Sequence, residues 1–145
     1  MSDVAGLIVL VGRVLFVIFP LYVSGWSFHI KNPKAAEGYA QAMSFPVPAV
    51  AGTVTGLWLI VASVSIAIGV FPDIGALMLA VFAATAAWYF HAFWKLEDGE
   101  QKQAQSSLFW RNVMIFAACL IMFGFFASVG PALRFSVTEA LISLR

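Results

Sequence analysis

Hydrophobic positions in this chain fall into four long blocks separated by short polar breaks. The blocks cover about 6–28, 47–70, 74–93 and 108–133, together roughly two thirds of the chain. A bilayer core about 30 Å thick needs roughly 20 apolar residues at 1.5 Å per helical residue. Only helices or closed barrels satisfy their backbone polar groups inside it. The pattern therefore predicts an all-α fold: a single integral membrane domain, an antiparallel four-helix bundle with both termini on one side.

The polar breaks predict smaller elements. Between spans 1 and 2, Pro33 stands at a helix start and Ala36, Tyr39, Ala40 and Met43 share a face, which predicts a short interfacial helix over about 34–43. Phe71-Pro72-Asp73 is all that joins spans 2 and 3, so these two must form a hairpin. Ser136-Val-Thr-Glu139 reads as a capping box, and Val137, Ala140, Leu141 and Leu144 share a face, which predicts an amphipathic surface helix over 136–145. Within span 1, Pro20 cannot donate to the carbonyl of Phe16, so a kink is expected there. Gly52-Thr-Val-Thr-Gly56 in span 2 and Ala76, Ala80 and Ala84 in span 3 carry the small-residue spacing that lets helices approach closely.

Composition narrows the function classes. The chain is 62% hydrophobic and 10% charged, whereas charged residues approach about a quarter in soluble domains. Its longest breaks, about 18 and 14 residues, are too short for an extramembrane catalytic domain. A net charge of +1 gives no basic patch for nucleic acid. Met1–Val4 has no basic region and no cleavage site follows, so the first span is expected to be retained. The single cysteine, Cys119, excludes an internal disulfide or CxxC pair and reads as a small buried hydrophobe. Lys31, Lys34, Lys95, Lys102 and Arg111 flank loops 1 and 3, against Arg134 and Arg145 beside the C-terminus, and this asymmetry favours cytoplasmic loops 1 and 3.

A few polar residues stand where chemistry is expected. Arg13 lies inside span 1, at an insertion cost of about 2.5–3.5 kcal/mol. Two readings stand: it snorkels to the interface, pairing with Asp73, the C-terminal segment or a lipid phosphate, or it faces a partner subunit. Span 3 ends Trp88-Tyr-Phe-His91-Ala-Phe-Trp94 and span 4 opens Leu108-Phe-Trp110-Arg111-Asn112, so loop 3 must bring His91, Arg111 and Asn112 to one rim. Trp88 and Trp94 are either interfacial anchors or the wall of a ring-binding pocket. His29 and His91 end spans running in the same direction, at similar depth on one side, a placement that allows bis-histidine haem b ligation.

The order of these pieces resembles the DoxX family of small four-helix membrane proteins over essentially the whole chain. The matching elements are Gly12-Arg13 and Ser24-Gly25 in span 1, Asn32-Pro33, Phe45-Pro46-Val47-Pro48, Gly69, His91-Ala-Phe-Trp94, Phe109-Trp-Arg-Asn112, and the ending Gly130-Pro-Ala-Leu-Arg-Phe-Ser136-Val-Thr-Glu139-Ala-Leu. Many members carry Glu-Leu-x-Gly-Gly in span 2, where this chain reads Leu59-Ile-Val-Ala62-Ser63 and so lacks an intramembrane carboxylate. The resemblance implies a bacterial inner-membrane protein associated with quinone-linked sulfur oxidation, as in thiosulfate:quinone oxidoreductase, or with anchoring of redox enzymes. Without paired acid/base groups, the expectation is a non-catalytic subunit or membrane partner of a respiratory or redox complex, stabilising it or shaping lipid and quinone access. The alternatives are a quinone-handling component using Arg13, His91, Arg111 and Asn112 beside Trp88 and Trp94, a haem protein, or a transporter, for which no inverted repeat is visible. Cysteines placed at Ser2 and Gln103 are expected to label from opposite sides of the membrane; labelling of both from one side refutes the predicted topology.

Overall fold

A computed structural model describes residues 1–144; Arg145 lies outside the described residues. The described chain is helical with no strand. Helix α1 (Asp3–Ile18) starts at Ser2, whose Oγ accepts from the Ala5 amide at 3.3 Å. At Pro20, where a kink is expected, the helix widens instead into π-helical turns over Phe19–Ile30. The Lys31 amide reaching the Trp26 carbonyl at 2.9 Å keeps this wider spacing to the end. Helix α2 (Pro33–Ala42) has Pro33 in its first turn and buries Ala36 and Ala40. A single 3₁₀ turn (Pro48–Ala51) leads into α3 (Thr53–Ile68). Helix α4 (Pro72–Thr85) also ends in π-helical turns (Ala86–Phe90), and α5 (Gly99–Val129) is capped by Asp98, whose carboxylate accepts from the Gln101 amide at 2.8 Å.

Three continuous helical stretches, Asp3–Ile30, Pro72–Lys95 and Gly99–Ala132, are long and apolar enough to cross a membrane; Thr53–Ile68 is apolar but shorter. The span expected over 47–70 is thus a helix of 16 residues. Pro48 withholds a backbone donor and disfavours helical geometry at Val47, so regular α-helix begins only at Thr53. The break expected before residue 108 is mostly helix, because Gln, Lys and Ala over 101–105 are good helix formers and Asp98 caps them. Helix α3 packs on the π-helical half of the first stretch and on α4, and α4 packs in turn on α5. Gly56 permits that contact, since a Cβ there would lie 2.7 Å from Ile30 Cδ1. Leu59, Ala62, Ile66, Ala76, Leu79, Cys119 and Phe126 fill the centre.

The C-terminal helix expected over 136–145 does not form; residues 133–144 run as an irregular strap across the turn between α3 and α4. Its amides go to acceptors that α3, α4 and α5 leave open, rather than to its own carbonyls. Val137 and Thr138 amides donate to the Gly69 carbonyl at 3.0 and 2.9 Å, and Leu144 donates to the Ala127 carbonyl at 3.1 Å. Ser136, expected as a helix cap, donates to the carbonyls of Gly69 at 2.9 Å and Thr138 at 3.0 Å. Gly69 itself sits at φ +72°, and a Cβ there would overlap Ser136, so only glycine closes this corner.

Asp73, fully buried, fastens the strap by accepting from the amides of Leu141 at 3.0 Å and Ile142 at 2.8 Å. Removing its carboxylate leaves two amides unpaired, at about 1–3 kcal/mol each. Asp73→Ala is expected to lower the thermal midpoint in detergent and to speed tryptic cleavage after Arg134, with Asp73→Asn intermediate. Unchanged protection at Arg134 would show that the strap is held elsewhere.

Candidate functional site

The widened helix ends converge on a cavity of about 200 Å³. The π-helical turns carry Ser24 and His29 to its wall, α2 contributes Tyr39, and α3 contributes Thr55. Helix α4 and its π-helical end add Phe82, Thr85 and Phe90, followed by His91, while α5 supplies Arg111, Asn112 and Ile115. A neighbouring space of about 240 Å³ shares Phe19, Phe82, Arg111, Asn112 and Ile115 with the first and is otherwise lined by Phe16, Pro20 and Leu79. No Asp or Glu is among the described residues lining either compartment.

Five polar side chains in the wall are held by a backbone or side-chain partner nearby. His29, only 7% exposed, donates from Nδ1 to the carbonyl of Ala51, in the 3₁₀ turn before α3. Thr55 Oγ1 donates to the Val50 carbonyl at 2.7 Å and Thr85 Oγ1 to the Val81 carbonyl at 2.8 Å. Asn112 Nδ2 donates to the Leu108 carbonyl at 2.9 Å. His91 Nδ1 lies 2.8 Å from Gln105 Oε1, a contact made possible because α5 extends back to Gly99. Arg111 is exposed at the junction of the two compartments. The Tyr39 ring packs on Phe90 with centroids 5.5 Å apart, and burial pushes its phenol above the usual range, so the hydroxyl keeps its proton at neutral pH.

The structure thus brings His29, His91, Arg111 and Asn112 to one cavity and leaves three other sequence-derived candidates outside it. Trp88 and Trp94 pack against each other with centroids 5.4 Å apart, and Trp94 also meets Phe93 and Phe109, in an aromatic cluster that does not line the cavity. Arg13, on α1, reaches the strap. Its side chain is 2% exposed, Nη2 donates to the Phe135 carbonyl at 2.5 Å, and Nε and Nη1 have no partner among the described residues. Asp73, one of the partners considered for Arg13, is instead occupied by Leu141 and Ile142. Thr55 and Thr85 were not singled out from the sequence; the available signal was one hydroxyl amid apolar neighbours on each helix.

A guanidinium buried with one of its three nitrogens paired costs more than a neutral side chain of similar length. Arg13→Met is therefore expected to leave the thermal midpoint of the isolated protein unchanged or raised. A drop of many degrees would mean that the single bond to Phe135 outweighs the desolvation of the charge.

A family model, DoxX, matches residues 8–92, from the first helical stretch through α4 and His91. Neither the curated proteins nor the solved structures contain a match to this chain. The matched region exceeds half of the 145 residues, and the described residues form a helical fold bearing three helices suited to a bilayer, two of them in the matched region. The chain is a membrane protein with transmembrane helices and belongs to the DoxX family.

Proposed function

We propose that this protein is a non-catalytic membrane partner of a respiratory or other redox complex, and that its cavity holds a quinone-type ring and governs its access. The observation that carries this reading is the cavity itself: aromatic walls from Phe19, Phe28, Phe82 and Phe90, with His29, Arg111 and Asn112 as polar contacts. Such a mostly apolar pocket with a few convergent polar groups suits a flat, uncharged ring. The lining offers no carboxylate or thiol, and Cys119 is locked in the core, which supports binding over autonomous catalysis. Two imidazoles on one cavity favour the second reading, a component of a quinone-linked oxidoreductase that moves protons itself.

The proposal places the protein in a bacterial inner membrane as an antiparallel four-helix bundle, with loops 1 and 3 cytoplasmic. The three-residue connection between α3 and α4, which pack on each other, supports the hairpin at its centre. Gentle extraction from the native membrane is expected to co-purify further membrane subunits, and solvent extraction of the pure protein is expected to release a quinone-pool molecule. Arg111→Ala is expected to weaken retention of that molecule about tenfold or more, the loss of one charge-assisted hydrogen bond. A solitary protein without bound quinone would overturn the proposal, and a haem absorption band would assign His29 and His91 to an iron instead.

A further inference from the structure

Hydrogen-bond direction in the cavity wall bears on which redox state of the ring fits, an inference that rests on the reading above. Four side chains from four different elements have spent a donor on a backbone carbonyl, which can only accept. His29 holds its proton on Nδ1 for Ala51, so the neutral ring offers a lone pair at Nε2, which has no partner among the described residues. Thr55 and Thr85 have given their only hydroxyl hydrogens to Val50 and Val81, leaving lone pairs. Asn112 must point its NH₂ at the Leu108 carbonyl, which fixes Oδ1 as the free acceptor. His91 fixes nothing, because the Gln105 amide opposite can present either end.

Donors are sparser. Arg111 supplies them at the exposed junction, Asn112 Nδ2 keeps one N–H beyond its bond to Leu108, and the hydroxyls of Tyr39 and Ser24, like the ring of His91, can act in either sense. A quinone carbonyl can engage only those donors, and on entering the cavity it desolvates His29 Nε2 and Asn112 Oδ1 without pairing them. A phenolic hydroxyl donates to these acceptors and still accepts from Arg111. The neighbouring compartment, bounded by Phe16, Pro20 and Leu79, suits the hydrocarbon substituent of such a ring. We infer that the cavity selects the reduced, dihydroxy form of its ligand, a quinol, over the oxidised quinone.

The test uses the full chain in lipid nanodiscs and three probes with one alkyl chain: a decyl benzoquinol, the matching quinone, and the di-O-methyl ether of the quinol, which keeps the ring but has no donor. The quinol is expected to bind about tenfold or more tighter than either of the others, the worth of a hydrogen bond to an otherwise unpaired buried acceptor. His29→Phe is expected to shrink that preference. Thr85→Val keeps the side-chain shape while removing one acceptor, and is expected to shrink it less, giving a second measurement should the His29 variant not fold. Equal affinity for all three probes, or tighter binding of the quinone, overturns the inference while leaving a ring-binding cavity in place. Failure of every probe to bind overturns the cavity reading as well.

Discussion

Pro20 has no N–H to give, and water does not replace a missing backbone donor inside hydrocarbon. The chain answers by widening its turns from Phe19 to Ile30, and a wider helix turns its side chains through a different angle per residue. His29 is placed by that change, and its ring meets the carbonyl of Ala51 in the turn that opens α3. The same accounting of carbonyls shapes the opposite end. Gly69 and Ala127 carbonyls, left over where α3 and α5 run out, are taken by amides of the strap, and Arg13 reaches the one at Phe135. Both ends of the molecule are thus fixed by where unpaired acceptors find donors.

The all-helical class and its long apolar helices were legible because apolar block length is a direct consequence of bilayer thickness. Legibility failed where a local signal competed with a distant one. Ser136 to Glu139 fit a capping pattern, yet the open carbonyls at Ile68 and Gly69 and the carboxylate of Asp73 took the amides a helix would have used. At the site, the short connection before α5 was enough to place His91, Arg111 and Asn112 near one another. Thr55 and Thr85 were not legible, since which face of an all-apolar helix turns inward is decided by packing rather than by periodicity. Trp88 and Trp94 stayed open between anchor and wall for the same reason: an aromatic run at a helix end fits both equally well.

Leu59 is fully buried in the core cluster that includes Val17, Ile66 and Leu79. An acid at this position would therefore change packing as well as charge. The family match ends at residue 92, so Arg111 and Asn112 on α5 lie beyond the matched region while forming the wall opposite His29. The cavity combines residues inside the matched region with residues of α5 beyond it.

Helix α3 has 16 residues and rises about 24 Å, while the helical stretch built on α5 has 34 and would reach about 50 Å. Its outward face, with Val54, Leu57, Trp58, Val61 and Ile68, is greasy from end to end. In the proposed four-helix arrangement, a crossing at that length would be a case of hydrophobic mismatch: lipid beside α3 would compress, and α5 would tilt or project into the headgroups. Such deformation costs fractions of a kcal/mol per Å, summed over every annular lipid on the short side. In that arrangement the elastic state of the surrounding bilayer would enter the energy of this fold directly, with α3 and α5 favouring opposite thicknesses.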